Sequence, residues 1–277
     1  MVRRRFRKSK QGFTIIEVML VLAVTGLMLI GVLGSTYVSI NSQRYNDSIR
    51  NFAEYMRSIY AEALSPASIT EDEDAAIGNS SDYAILGKIV VFGVNDSDTV
   101  YSATLVGTTN KNLPDEDFLT SITDIDSDST NTSVFCGNPT AGQPSSVQSY
   151  TPLWEAKLAQ ANNMPSGAHY PNQFKGTMII ARTPTSSTIH TAFAPDKVYD
   201  FSGDNCTAAN AAFRNDLSTQ HSGFDTFFEM NEPTGICVTY DSIRVHREVR
   251  IAADGRNASA VWLRETDPED GANACQN

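Results

Sequence analysis

Two different hydrophobic patterns follow each other near the N-terminus of the chain. Residues 13–40 form an almost unbroken apolar run in which Glu17 is the single charge. Residues 41–64 instead place apolar side chains at helical steps of three or four: Tyr45, Ile49, Phe52, Met56, Ile59 or Tyr60, and Ala63. The first pattern suits a membrane-crossing helix, and the second suits a helix that packs one face on a sheet. We therefore predict one continuous helix over 13–64, transmembrane over 13–40 and amphipathic over 41–64, which ends before Pro66.

The rest of the chain alternates between strand-like segments and polar connections. Segments of strand character cover residues 83–94, 100–107, 177–182, 188–193, 235–245 and 248–253. Asp254-Gly255 is a hairpin signal that joins the last of them to a further strand. Residues 124–172 are rich in Ser, Thr, Asn, Pro and Gly and predict long loops, with a short helix around Trp154–Ala161. The fold class predicted is α+β: a long N-terminal helix packed on an antiparallel β-rich head over 65–277.

Charge is distributed unevenly, and this bears on topology. Six of the 21 basic residues lie within the first ten positions, which leaves 15 basic against 32 acidic residues in the remainder. So acidic a remainder argues against nucleic-acid binding through a basic patch. Basic residues flanking a membrane span stay on the cytoplasmic side, so the N-terminus is expected inside and everything after Ile40 outside. A secretory signal peptide is the alternative, but no A-x-A cleavage site follows the apolar run.

The junction between the basic and apolar segments carries a specific motif. "KQG" followed by "FTIIEVMLVLAVTGLML" resembles the class III signal of type IV pilins and of type II secretion and competence pseudopilins. The resemblance implies a leader over 1–12, which a dedicated membrane aspartyl peptidase removes by cutting between Gly12 and Phe13. It also implies N-methylation of Phe13 by the same enzyme, and an assembly role for Glu17 facing the N-terminal amine of a neighbouring subunit. A buried charge needs such a partner, whereas a tolerated charge at the membrane interface would not.

Three glycines interrupt the apolar run at Gly26, Gly31 and Gly34. Many pilins carry a proline where Gly34 stands, and family members unwind this stretch locally in the filament. Each glycine lowers helix propensity by about 1 kcal/mol relative to alanine. Two interpretations remain open: local melting of the helix, and close helix packing through small residues.

Four cysteines, Cys136, Cys206, Cys237 and Cys275, all lie after the apolar run. An even number in an exported domain predicts disulfides, and their spacing leaves three pairings open. The resemblance to pilins that close a C-terminal loop favours Cys237–Cys275, with Cys136–Cys206 as the other pair. A zinc site is not expected, because no pair is spaced C-x-x-C.

Few residues suggest catalysis or cofactor binding. The sequence has no H-E-x-x-H, G-x-S-x-G or P-loop, so we expect no enzyme and no cofactor. Asp124, Asp126 and Asp128 alternate as Ca²⁺ ligands can, but Ser129 and Phe135 stand where an EF-hand needs glycine and glutamate. Some pseudopilins bind calcium in loops; a solvated acidic loop is the alternative here.

The combined prediction is a structural subunit of a type IV pilus or type II secretion-like filament. A minor pilin or pseudopilin is favoured over the main pilin of the fibre because the head is large and rich in loops. The expected partners are other pilin subunits, the prepilin peptidase and the inner-membrane assembly platform. The protein would first cross the cell membrane once and then join an extracellular pilus or a periplasm-spanning filament. A membrane-anchored adhesin that never polymerises and a signal-anchored secreted enzyme are the rivals, and both leave Gly12 uncut.

Overall fold

The structure is a computed structural model of the chain. The described residues are 14–64, 83–108, 132–134, 136, 146–160, 173–182, 189–202, 205–220, 227–230, 233–240, 243–252 and 258–265. The chain divides into two units, Met1–Arg44 and Tyr45–Asn277.

Helix α1 runs from Ile15 to Leu64 and belongs to both units. In the second unit its apolar side chains form the predicted stripe, which is confirmed. The eight that are almost fully buried are Tyr45, Ile49, Phe52, Ala53, Met56, Ile59, Tyr60 and Ala63. We call residues 45–64 the packed half of α1. Side chains on its other face, such as Glu54 and Glu62, are exposed because nothing apolar is needed there.

The described residues of the head form two antiparallel sheets. The larger sheet has the order β3-β2-β1-β6-β7-β8, with β4 pairing β2 beside β3. Its strands are β1 (Tyr83–Phe92), β2 (Val100–Thr108), β3 (Thr132–Val134), β4 (Gln148–Tyr150), β6 (Gly176–Arg182), β7 (Ile189–Pro195) and β8 (Phe228–Glu229). The smaller sheet has the order β11-β10-β9-β5, formed by β5 (Lys157–Gln160), β9 (Thr234–Tyr240), β10 (Ile243–Ile251) and β11 (Val261–Glu265).

Where the structure describes the head, two hydrophobic cores pack against the larger sheet, one on each face. Alternation along β6 shows the division: Met178 and Ile180 join the stripe of α1, whereas Ile179 and Ala181 join the opposite core. The smaller sheet contributes Ile236, Val249 and other apolar residues to the core that contains α1. The second core is closed by helix α2 (Cys206–Gln220), which inserts Phe213 and Leu217.

The predictions for the last strands were wrong in one respect and confirmed in another. Residues 235–245 form parts of two strands, not one, because the chain turns between Tyr240 and Ile243 and β10 returns along β9. The predicted pairing of the last two strands is confirmed by the contact of Ile251 with Val261, although Asp254 and Gly255 lie outside the described residues.

The helix predicted around residues 154–161 does not form over 154–160, the part of that range that the structure describes. Leu153–Glu155 make one 3₁₀ turn in which Trp154 and Glu155 have positive φ angles of 60° and 59°. Such angles cannot continue a right-handed helix, and the following residues pair with β9 as strand β5 instead. Strands β3 and β4 also lie in the stretch predicted as loops, and α2 was not predicted.

Candidate functional site

The start of α1 carries a hydrogen-bonded cap. Thr14 Oγ1 accepts a hydrogen bond from the Glu17 N–H at 3.3 Å, and the Thr14 carbonyl accepts one from Val18 N–H at 3.2 Å. Thr14-Ile15-Ile16-Glu17 therefore has the S/T-x-x-E spacing of a capping box. The carboxylate of Glu17 also lies in the first turn, where the helix dipole favours negative charge. Thr14 was not among the residues predicted from the sequence, although its spacing from Glu17 is visible there.

The first part of α1 presents apolar side chains on every side. We call residues 15–40 the exposed half of α1. Ile15 is 81% exposed, Leu27 71% and Ile30 70%, so no single face is set apart. By length and composition the helix can cross a membrane, a test that a signal sequence also passes. A continuous apolar surface of this kind indicates lipid or protein surroundings.

The hydroxyl side chains in the exposed half bond to the helix itself. Thr25 Oγ1 donates to the Val21 carbonyl at 2.8 Å, and Ser35 Oγ donates to the Val32 carbonyl at 3.0 Å. The Thr36 hydroxyl donates to the same Val32 carbonyl. These groups therefore need no partner outside the helix, which lowers the cost of placing them in an apolar environment.

Gly26, Gly31 and Gly34 lie within the continuous helix. A methyl group added at any of them would meet nothing within 4 Å. In this chain alone the glycines therefore leave shallow open sites on α1 without interrupting it. Local melting of the helix at these glycines in a filament stays a prediction.

Other predicted site residues lie outside the described part of the chain. Gly12 and Phe13 precede it, and Asp124, Asp126 and Asp128 fall in a gap, so the cleavage and calcium predictions stay predictions. Within the described ranges, no three His, Cys, Asp or Glu side chains are grouped as metal ligands would be.

The head contains the predicted disulfide Cys136–Cys206, which joins residues 70 positions apart. Cys237 is disulfide-bonded as well. Its predicted partner, Cys275, lies outside the described residues.

Polar contacts that the sequence analysis missed fix the packed half of α1 to the head. The Tyr45 hydroxyl donates to the Val238 carbonyl at 3.1 Å and accepts from the Arg247 N–H at 2.5 Å. The Arg247 guanidinium also donates to Asn46 Oδ1 at 2.6 Å. Further along the helix, Tyr60 shares a buried hydrogen bond with the Thr191 hydroxyl at 2.9 Å. No short-range sequence signal indicates these contacts, since their partners lie far away along the chain.

One lysine extends under the packed half of α1. Lys88 is nearly buried, and its Nζ lies 2.8 Å from Glu62 Oε2 and 3.3 Å from Thr104 Oγ1. The ion pair therefore joins α1 to β1, and the hydrogen bond from Lys88 to the Thr104 hydroxyl extends the contact to β2. Pairing of this kind offsets the cost of taking the ammonium group out of water.

A family model described as the prokaryotic N-terminal methylation motif matches residues 7–33. No curated protein and no solved structure matches the chain. The matched motif is the class III prepilin signal of type IV pilins and pseudopilins, so the predicted resemblance is confirmed. It covers the start of α1 together with the Gly12–Phe13 junction, and it supports a type IV pilin- or pseudopilin-like protein.

Proposed function

We propose that the chain is a minor subunit of a type IV pilus or type II secretion-like filament, which polymerises through the exposed half of α1. The observation that supports this most directly is a coincidence of position. The methylation motif at residues 7–33 overlaps the part of α1 whose apolar side chains are exposed on all sides. The same helix then continues as the packed half, which is built into the core of the head.

Processing would prepare the N-terminus for assembly. A prepilin peptidase cuts between Gly12 and Phe13 and methylates the new amine of Phe13. The amine and the Glu17 carboxylate are then the charged groups nearest to this end of the apolar run. In a filament built from such helices a lone charge would be costly, so the carboxylate of one subunit pairs with the amine of its neighbour.

Location follows from the same helix. Before assembly the exposed half crosses the cell membrane, with the basic leader on the cytoplasmic side. After assembly the head lies in an extracellular pilus or a periplasm-spanning filament, beside other pilin subunits. The size of the head, and the Ser-, Thr-, Asn-, Pro- and Gly-rich composition of residues 124–172, favour a subunit of low copy number over the main pilin of the fibre.

The capping box requires an experiment that separates the charge of Glu17 from its position in the helix cap. Glu17→Gln removes the charge and keeps a side chain that can serve the cap. Thr14→Val is the matched control, because it removes the observed cap hydrogen bond and keeps the charge. Each variant is expressed in the native host, and mature protein is compared between sheared filaments and membranes. Gly12→Leu, which should stay at full length, marks the unprocessed form by intact mass.

We expect Glu17→Gln to mature normally and to enter filaments about tenfold less than the wild type, a loss that corresponds to about 1.4 kcal/mol. Thr14→Val should mature and assemble like the wild type. Equal incorporation of Glu17→Gln would exclude the docking role. A wild-type protein that keeps Met1 would support the membrane-anchored adhesin instead.

A further inference from the structure

Strand β3 is a three-residue strand at one edge of the larger sheet. Thr132–Val134 lie opposite Leu105–Gly107 of β2. A pairing this short is marginal by itself, since few ladder hydrogen bonds offset the ordering of the chain. Other contacts must therefore hold β3 in place.

The side chain of Asn210 supplies two of these contacts. Val134 N–H donates to Asn210 Oδ1 at 2.9 Å, and Asn210 Nδ2 donates to the Val134 carbonyl at 3.3 Å. The backbone groups of Val134 thus point away from β2, and the amide bonds to them as a neighbouring strand would. Since antiparallel pairs alternate, the ladder bonds between β3 and β2 belong to the next pair, Ser133 and Val106.

The disulfide fastens the same strand to the same helix. Cys136 lies two positions after Val134, and Cys206 begins α2 one turn before Asn210, with 5.8 Å between the two cysteine Cα atoms. Helix α2 itself has independent anchors in the second core. Phe213 is fully buried, and Asp216 accepts hydrogen bonds from the Tyr199 hydroxyl and Lys197 Nζ at 2.7 and 3.0 Å. Strand β3 therefore depends on α2 more than α2 depends on β3.

We propose that the Cys136–Cys206 disulfide and Asn210 form a redox-sensitive latch that keeps β3 on the edge of the larger sheet. Two equivalents of a thiol reductant convert the disulfide to two protein thiols and are themselves oxidised to a disulfide, with two electrons transferred. Strand β3 then separates from β2 and uncovers the N–H and carbonyl of Val106, while α2 stays in place. If the head is exported as in the proposed function, the latch closes on reaching an oxidising compartment.

The test is hydrogen exchange resolved to single amides on the full-length protein in detergent. Val134 reports the contact with Asn210, Val106 reports the pairing of β3, and Ile179 in the centre of the sheet reports global opening. The disulfide is removed by the double substitution Cys136→Ser/Cys206→Ser. The matched control, Cys237→Ser/Cys275→Ser, removes the other two cysteines of the chain.

We expect the Cys136→Ser/Cys206→Ser variant to exchange about tenfold faster or more at Val106 and Val134, with Ile179 unchanged. The control pair should leave Val106 and Val134 as in the wild type. Asn210→Leu, with the disulfide intact, should accelerate Val134 more than Val106. Unchanged exchange at Val106 and Val134, or equal acceleration at all three amides, would each overturn the latch. Because exchange is measured on purified protein, the result does not depend on filament assembly.

Discussion

The hydroxyl of Tyr45 occupies a position inside a β-ladder, and its removal gives a sharp test of how α1 is fixed to the head. Arg247 and Val238 lie opposite each other in β10 and β9, next to an irregularity in their pairing. The phenol of Tyr45 bonds the N–H of the first and the carbonyl of the second. Tyr45→Phe removes this bridge and keeps the ring, which is only 3% exposed.

The expected cost follows from what the substitution leaves behind. A buried N–H and a buried carbonyl lose their partner together, and each such group costs about 1–3 kcal/mol when it stays unsatisfied. Because the two groups face each other, part of this cost is recovered if the strands close and bond directly. We therefore expect a loss of about 2 kcal/mol in the free energy of unfolding.

Tyr60→Phe is the matched control. Tyr60 lies on the same helix and is fully buried, but its hydroxyl bonds a single side-chain hydroxyl, that of Thr191. A hydroxyl can rotate towards another acceptor, whereas a backbone group cannot, so this substitution should cost about 1 kcal/mol.

The assay is urea unfolding of the full-length protein in detergent, followed by tryptophan fluorescence, with hydrogen exchange at the Arg247 amide as the local reading. Tyr45→Phe should lower stability more than Tyr60→Phe and should accelerate exchange at Arg247. Equal stability of the two variants, or exchange of the Arg247 amide at the wild-type rate in Tyr45→Phe, would exclude a stabilising role for the Tyr45 bridge.

Two further predictions concern the head. Gly235→Ala should lower the free energy of unfolding by about 1–3 kcal/mol in thermal unfolding, because the added Cβ would lie 1.6 Å from Oε1 of the buried Glu248. The control Gly26→Ala places its methyl group in open space and should cost nothing. Equal melting temperatures of the two variants would contradict this prediction. Burial raises the pKa of the Tyr60 phenol, and burial together with Asp216 raises that of Tyr199. The pKa of each phenol is therefore higher in the folded than in the unfolded protein, so the folded state is favoured fully below about pH 10 and this contribution to stability is lost as the pH rises further. Ionisation and unfolding are then linked, so tyrosinate absorbance and circular dichroism should change together.

The parts of the fold that the sequence predicts well are those in which one face of a regular element is buried. The stripe of α1 repeats at the helical period over several turns, and each predicted stripe position is buried in the head. Strands β1, β2, β6 and β7 are rich in β-branched residues and bounded by polar segments, so they too were found within a few residues. The motif at the N-terminus was recognised because its chemistry depends on consecutive residues.

Helix α2 shows why other elements were missed. Its buried positions Cys206, Phe213 and Leu217 do follow helical steps, but Thr, Asn and Ser occupy much of the remaining surface and favour turns when read alone. Tertiary contacts stabilise this helix where its intrinsic helix propensity is weak, since both the second core and the disulfide hold it in place. Strand β5 is similar. Its four residues show no alternation of apolar and polar side chains, and they form a strand because they pair with the edge of β9.

The contrast between the two halves of α1 bears on what makes filament assembly specific. The packed half gains hydrophobic free energy when the head folds, because water is removed from its stripe. The exposed half, if it moves from lipid into a filament, exchanges one apolar environment for another and gains little from its leucines and isoleucines. Specificity must then come from features that lipid cannot match: the charge of Glu17, and close approach of helices at Gly26, Gly31 and Gly34. A subunit with these four positions altered and its apolar surface intact should therefore remain a stable membrane protein that assembles poorly.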